Sequence, residues 1–332
     1  MKKILIIQTA FIGDVVLATP VVERLHSVFP DAKIDFLLRK GTEGLFDKHP
    51  FLNNILIWER KENKYRNLLR IWKKIRQTRY DLVVTMQRFG SSGFITAFSN
   101  SSRTIGFDKS PFSMFFSKRV KHIIGKKDYY LHEIERNLSL VSEYGELTKV
   151  MPRLYPSPND FKKFEIFPAH SFICIAPASV WYTKQFPKEK WLEFMVKIND
   201  SQKIFFIGSS KDKILCDEIM IESGKKNCIN FAGELSLLET AALMKNARMN
   251  FVNDSGPLHI ASAMNADVTA VFCSTVPAFG FGPLSLNSHI IETEKLLDCR
   301  PCGLHGFKRC PENHFECAFS INTDNLIDKI RY

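Results

Sequence analysis

Two short runs carry residues whose types and spacing could do chemistry. The first is Thr9-Ala10-Phe11-Ile12-Gly13-Asp14, which follows an apolar segment and leads into an amphipathic one. A carboxylate at a helix start has two uses: it can cap free backbone N–H groups, or serve as a general base kept ionised by the helix dipole. Both readings of Asp14 stand, and Thr9 and Gly13 beside it are candidates to contact the same substrate. The loop lacks G-x-G-x-x-G and keeps only Gly13, which disfavours a dinucleotide enzyme. The second run is Asn253-Asp254-Ser255-Gly256-Pro257-Leu258-His259. Asp254 and Ser255 are N-cap types, Gly256 lets a ligand approach the backbone, and Pro257 suits a first helical turn. Free N–H groups at the positive end of a helix bind anions, and pyrophosphate is the natural guest. His259, one turn in, can point at the same place; the competing reading is a plain capped turn with a core histidine.

Weaker candidates accompany these. Ser179 and Lys184 lie in a loop after the strand ending Ala176-Pro177-Ala178, where Lys184 could meet a phosphate as a point charge. Asp212, in Gly208-Ser209-Ser210-Lys211-Asp212, could accept from ribose hydroxyls or simply cap its helix. Cys299-x2-Cys302-x7-Cys310-x6-Cys317, with His305 and His314 inside it, has the compactness of a zinc site. The other reading is four reduced thiols in a tight loop. Cys174, Cys216, Cys228 and Cys273 sit in apolar neighbourhoods and read as small core residues.

The elements that must position these residues alternate strand and helix. Strands are expected at Lys3–Gln8, Lys33–Leu38, Asn54–Trp58, Leu82–Met86 and Arg103–Phe107. Helices are expected at Val15–Val28, from Thr42–Phe46, at Tyr65–Thr78, Gly93–Asn100 and Tyr129–Tyr144. After Pro152, Pro156, Pro158 and Pro168, read as a linker, the alternation restarts. Strands fall at Phe172–Ala176, Lys203–Gly208, Cys228–Phe231, Met249–Asn253 and Val268–Phe272. Helices fall at Lys188–Ile198, Asp212–Ser223, Leu235–Asn246, Gly256–Met264 and Thr323–Ile330. Repeated β-α-β implies two α/β, Rossmann-like doubly wound domains, 1–160 and 161–332, facing across a cleft. Ligands in such sheets bind beyond the strands' carboxyl ends.

The chain has 332 residues, ample for two cores, and a formal net charge of +11, which calls for an acidic partner. Nine Lys or Arg fall within the 20 residues Arg60–Arg79. That stretch is either a solvated helix face or an attachment to an anionic membrane or a phosphorylated glycolipid. A basic nucleic-acid-binding protein is the other class compatible with the charge, but no nucleic-acid motif accompanies it. The apolar run at Ile4–Ile7 is too short for a signal peptide, and no stretch is long enough to span a bilayer, so a cytoplasmic protein is expected.

Phe11-Ile12-Gly13-Asp14-Val15-Val16 with Thr19-Pro20 resembles the N-terminal signature of glycosyltransferase family 9, the lipopolysaccharide heptosyltransferases. So do Tyr80-Asp81-Leu82-Val83-Val84 and Arg103-Thr104-Ile105-Gly106-Phe107. In the second half Lys184-Gln185-Phe186-Pro187, Gly208-Ser209-Ser210-Lys211-Asp212 and Asn253–His259 match too. The cysteine pair and Cys310-Pro311 resemble the heptosyltransferase II branch. The resemblance implies a GT-B fold and inverting, metal-independent transfer of heptose from ADP-heptose, with no cofactor. The acceptor would be an inner-core Kdo or heptose on lipid A, met by a cytoplasmic enzyme peripheral to the inner membrane face. By the same resemblance Asp14 is the base and Lys184 neutralises the leaving diphosphate. Asp254, Ser255, Gly256 and His259 hold the donor, with Ser179 near its phosphates and Asp212 near its ribose. The family usually has tryptophan where Phe186 stands. A family-9 enzyme for another nucleotide-sugar is the alternative, and the absence of an Asp-x-Asp motif agrees with a metal-free route.

Overall fold

A computed structural model of the protein describes residues 1–125, 130–145 and 150–330. It divides into two units, one formed by Met1–Gly125 with Leu131–Tyr155, the other running from Pro156. The first unit holds six strands: β1 (Lys3–Ile7), β2 (Lys33–Arg39), β3 (Leu52–Trp58), β4 (Leu82–Thr85), β5 (Arg103–Phe107) and β6 (Lys118–Val120). All neighbours pair in parallel, in the order β3-β2-β1-β4-β5-β6. Parallel sheets need cover on both faces, so the central strands are continuous apolar runs; Ile4–Ile7 and Leu82–Thr85 are wholly buried. Among the described residues five helices provide the cover: α1 (Ile12–Val16), α2 (Thr19–Val28), α3 (Lys64–Thr78), α4 (Gly90–Ala97) and α5 (Glu133–Ser139).

The second unit repeats the plan. Its strands are β7 (Phe172–Ala176), β8 (Lys203–Phe206), β9 (Cys228–Asn230), β10 (Met249–Asn253), β11 (Val268–Phe272) and β12 (Ser288–Glu292). They pair in parallel in the order β12-β11-β10-β7-β8-β9. Its helices are α6 (Pro158–Lys162), α7 (Lys188–Lys197), α8 (Lys213–Glu222), α9 (Leu237–Asn246), α10 (Gly256–Ala263), α11 (Glu316–Phe319) and α12 (Asp324–Ile327). Its core is aromatic: Phe186, Trp191, Phe194, Phe206 and Phe251 are fully buried together.

In each sheet the winding direction reverses once, between β1 and β4 in the first unit and between β7 and β10 in the second. Crevices beyond the strand ends at such reversals are where doubly wound sheets bind ligands.

Several expectations need correction. The single helix Val15–Val28 is two, α1 and α2, broken at Leu17-Ala18 where Pro20 opens the next helix. The long helix Tyr129–Tyr144 contracts to α5; its first expected residue lies outside the described ones. The linker contains the short helix α6, begun by Ser157 and Pro158, and Thr42–Phe46 leads only to a 3-10 turn at Glu43–Phe46. The edge strands β6 and β12 and the short α11 are additions to the expected elements. Among the described residues no helix is long and apolar enough to cross a membrane.

Candidate functional site

Beyond the first sheet's reversal, β1 runs through Gln8 into Thr9 and α1. Asp14 is half-buried and stands third in α1; the cap position belongs to Phe11. The expectation of an N-cap at Asp14 is therefore displaced by one turn. From there its carboxylate reaches back to accept from the Phe11 N–H at 3.2 Å. A carboxylate in a first turn is still favoured by the dipole. Gly13 is buried within the same turn. Thr9 is buried, and its hydroxyl donates to Gln87 Oε1 at 2.7 Å, tying the end of β1 to the loop two residues beyond β4.

Asp14 shares its surroundings with charged groups. The Arg39 guanidinium lies over the Phe11 ring at 4.5 Å. Burial and the neighbouring Arg60 lower the Arg39 pKa, while Asp14 opposes that fall. Glu133, at the start of α5, is buried and paired with Arg136, whose Nε donates to Oε2 at 2.7 Å. Burial raises the Glu133 pKa, Arg136 counters it, and the charge of Asp14 adds to the rise. Asn137 of the same helix donates to the Leu17 carbonyl at 3.1 Å, fastening α5 to the end of α1. Sequence reasoning missed Gln87, Arg39 and Glu133. Only Gln87 carried a signal, as a polar residue directly after an apolar strand.

Beyond the second sheet's reversal, β10 delivers Asn253, Asp254 and Ser255 to the start of α10. Asn253 is buried, and its amide joins three segments: Oδ1 accepts from the Phe186 N–H at 2.9 Å, and Nδ2 donates to the Pro177 carbonyl at 2.8 Å. The Pro177–Phe186 loop is thus fixed to the end of β10. Lys184, in a 3-10 turn at Tyr182–Lys184, places Nζ 2.6 Å from Asp254 Oδ2. The lysine side chain is 16% exposed and the aspartate 5%. Thr275 Oγ1 donates to the same oxygen at 2.6 Å.

This corrects the reading of Asp254 as a cap, because its carboxylate is engaged by a lysine and a hydroxyl instead. Ser255 occupies the cap position with extended backbone, but its side chain makes no cap bond. The helix begins with Gly256 and Pro257, of which only Gly256 carries an N–H, and the Leu258 N–H donates to the Ser255 carbonyl at 3.1 Å. Helix starts are places where anions can bind, and Lys184 stands beside this one, paired with Asp254. His259 is buried one turn in, with its ring 6.2 Å from that of Phe281.

Ser179 lies in the fixed loop, where its N–H donates to Gln185 Oε1 at 3.1 Å. Phe186 is fully buried edge-on to Trp191 at 5.2 Å. Asp212 holds the cap position of α8, yet its carboxylate turns to Ser209, accepting from N–H at 2.8 Å and Oγ at 2.7 Å. It closes a small loop after β8 that rests against Gly233. A Cβ at Gly233 (φ +80°) would meet Ser210 Cα at 2.6 Å.

The cysteine loop packs on the Lys184 turn. Thr183 N–H donates to the Phe307 carbonyl at 3.1 Å, and Phe307 N–H donates to Thr183 Oγ1 at 2.7 Å. Gly306 (φ +73°) permits this approach, since a Cβ there would lie 2.9 Å from Lys184 Cγ. All eight cysteines are free thiols, and Cys299 Sγ lies 3.9 Å from His314 Nε2. Burial and the neighbouring thiols push Cys317 up to about 12, so it is protonated at neutral pH. Among the described residues no group of three or more His, Cys, Asp or Glu is arranged to hold a metal.

The model of glycosyltransferase family 9 (heptosyltransferase) matches residues 68–303. Escherichia coli lipopolysaccharide heptosyltransferase 3 is 26% identical over 280 residues, covering 80% of this chain and 82% of that one. Haemophilus ducreyi lipooligosaccharide heptosyltransferase 2 is 25% identical, covering 99% and 98%. Among solved structures, E. coli ADP-heptose LPS heptosyltransferase II superposes with a TM-score of 0.80 at 20% identity, over 99% of this chain and 97% of that one. A family 9 glycosyltransferase from Veillonella parvula superposes with a TM-score of 0.79 at 17% identity, over 99% and 95%. With its two six-stranded parallel sheets the chain has the GT-B fold of these enzymes, and it belongs to glycosyltransferase family 9, the heptosyltransferases.

Proposed function

We propose that this enzyme transfers L-glycero-D-manno-heptose from ADP-heptose to the inner core of lipopolysaccharide, a Kdo or heptose on lipid A, with inversion and without a metal. The observation that carries the reading is Lys184 held against Asp254 beside the uncapped start of α10. A donor diphosphate placed there meets backbone N–H groups, the positive end of the helix and an ammonium. The relatives' heptosyltransferase names support heptose as the sugar.

In the reaction the acceptor hydroxyl oxygen attacks the anomeric carbon of heptose while Asp14 takes its proton. The anomeric carbon–oxygen bond breaks and its electron pair leaves with ADP. Negative charge thus grows on the β-phosphate, where α10 and Lys184 stabilise it without reorganisation. Displacement from the opposite face inverts the configuration. Ser255, Gly256 and His259 hold the diphosphate and Ser179 flanks it. Asp212 serves the ribose by exchanging its Ser209 bonds for sugar hydroxyls, and Thr9 and Gly13 shape the acceptor's side of Asp14.

The test is transfer in vitro from ADP-heptose, UDP-sugars and GDP-sugars to defined truncated core acceptors. Anomeric configuration is read by NMR, and the rate is compared with and without chelator. Activity with a UDP- or GDP-sugar alone would move the assignment to the other nucleotide-sugar branch of the family. Asp14→Asn is expected to lower turnover by about 10²–10⁴ while ADP affinity stays the same. Full turnover in that variant would remove Asp14 as base.

A further inference from the structure

The loop from Cys299 to Cys310 does more than rest on the Lys184 turn. Its first two cysteines, separated by Arg300 and Pro301, bring their thiols together. The Cys302 sulfur donates to the Cys299 carbonyl at 2.9 Å, and its side chain also hydrogen-bonds that of Cys299. The two differ in surroundings. Cys302 is buried, and burial, with the neighbouring Cys299 and Cys310 thiols, raises its pKa. Cys299 is partly exposed, and its sulfur lies 3.9 Å from Nε2 of the exposed His314. The Glu316 N–H donates to His314 Nδ1 at 2.9 Å, so the neutral ring carries its proton on Nε2, facing the Cys299 sulfur. A donor so placed favours the thiolate, the form of cysteine that attacks disulfides. Two touching thiols, one reachable and one buried, are the parts of a dithiol that can close and reopen.

Residues between and beside these thiols hold both members of the Lys184–Asp254 pair. The Cys302 N–H donates to the Ser274 carbonyl at 2.9 Å. Ser274 in turn donates to Thr183, from its N–H to the carbonyl at 3.2 Å and from Oγ to Oγ1 at 3.0 Å. Thr183 is the chain neighbour of Lys184. Arg300 reaches from between the two cysteines to the end of β11, where Nε donates to the Cys273 carbonyl at 2.7 Å and Nη2 to the Thr275 carbonyl at 2.9 Å. The Thr275 hydroxyl is the one that donates to Asp254. A disulfide holds its Cβ atoms about 3.8 Å apart, and forming it removes the S–H that Cys302 gives to the Cys299 carbonyl. Closing one here therefore re-sets the segment that carries Arg300 and the Cys302 N–H.

We propose that Cys299 and Cys302 are a redox site: a low-molecular-weight disulfide oxidises the pair, and the closed form loosens the loop's hold on Lys184 and Asp254. The Cys299 thiolate attacks one sulfur of the oxidant, whose S–S bond breaks and releases one thiolate; this takes up the proton that Cys299 lost. The Cys302 sulfur, its proton passing to solvent, then attacks Cys299 Sγ in the mixed disulfide. It expels the second thiolate, which is protonated in turn. Two electrons pass from the pair to the oxidant, which ends as two thiols. The oxidation and the loosening stand on this geometry; their effect on donor binding rests on the function proposed above.

The experiment incubates the full chain in glutathione buffers, from reducing to oxidising. Two of its eight free thiols should be lost on oxidation, and mass spectra of unreduced peptides should join Cys299 to Cys302. Hydrogen exchange at the Thr183 N–H should quicken about tenfold as its bond to the Phe307 carbonyl weakens. ADP should bind about tenfold more weakly, and dithiothreitol should reverse both changes. Cys299→Ser should lose no thiol in the same buffers and keep its ADP affinity. Cys302→Ser should stop at a mixed disulfide with glutathione, and His314→Ala should slow the oxidation. Retention of all eight thiols, a disulfide between other cysteines, or unchanged exchange at Thr183 overturns the proposal. So does stoichiometric zinc in the purified chain with these thiols as its ligands. A reduced chain that fails to bind ADP counts against the donor reading instead, and the thiol count and exchange still decide the redox site.

Discussion

The Lys184–Asp254 pair permits stability and catalysis to be separated in one experiment. Lys184→Ala leaves the Asp254 carboxylate, 5% exposed, accepting from the Thr275 hydroxyl but without its cation. Removing one member of a buried pair costs about 3–5 kcal/mol, because the other charge stays desolvated. In a unit of this size about 1 kcal/mol moves the melting temperature by about 2–4 °C, so a fall of about 10 °C is expected. On the role proposed for Lys184, turnover should fall as well, by about 10²–10³. The double variant Lys184→Met/Asp254→Asn removes both charges. It should regain most of the melting temperature, because no lone charge remains, and none of the turnover. Differential scanning calorimetry and steady-state transfer assays on the parent, Lys184→Met, Asp254→Asn and the double supply the cycle, with Lys184→Ala measured beside them. Melting of Lys184→Ala at the parent's temperature would refute the buried-pair energetics. Recovery of turnover in the double variant would refute the role given to Lys184.

Two further outcomes follow from the geometry. His49 is buried against Phe46, Phe51 and Tyr155, and burial, then the nearby His26, lowers its pKa to about 4. The unfolded chain protonates His49 near 6.5, so stability is fully present above that pH and is lost as pH falls from about 6.5 to about 4. The loss should reach about 2–3 kcal/mol, and His49→Phe should flatten it in urea titrations run across that range; an identical pH profile for that variant would exclude His49 as the source. Gly233→Ala places a Cβ against the Ser210 backbone at a positive φ, so the loop closed by Asp212 must shift. A stability loss of about 1–3 kcal/mol and a raised KM for the donor are expected, checked by denaturant melts and initial rates.

Much of the fold was legible because buried parallel strands are apolar throughout. β7, β10 and β11 have the bounds that their composition suggests, and β5 likewise. β6 was not legible: Lys118-Arg119-Val120 is short and two-thirds cationic, as edge strands often are. The division of α1 from α2 turned on Pro20, whose place at a helix start looks the same in sequence as a tolerated first-turn proline. At the site, Asp254 and Ser255 were located by type and spacing. That Asp254 answers a lysine 70 positions away rather than its own helix depends on how the Pro177–Phe186 loop folds back. No local pattern encodes that return.

The Asn253 amide has a kinetic consequence. By joining β10 to both ends of the Pro177–Phe186 loop, it sets that loop's conformation when the chain folds. Ordering a residue's backbone costs about 1–2 kcal/mol, and here the ordering precedes any encounter with ligand. If the start of α10 is the donor's place, as proposed, capture of a nucleotide there should proceed without waiting for the loop to arrange itself. Its rate would be governed by diffusion and by the chain's positive field, and dissociation alone would set how long the nucleotide stays.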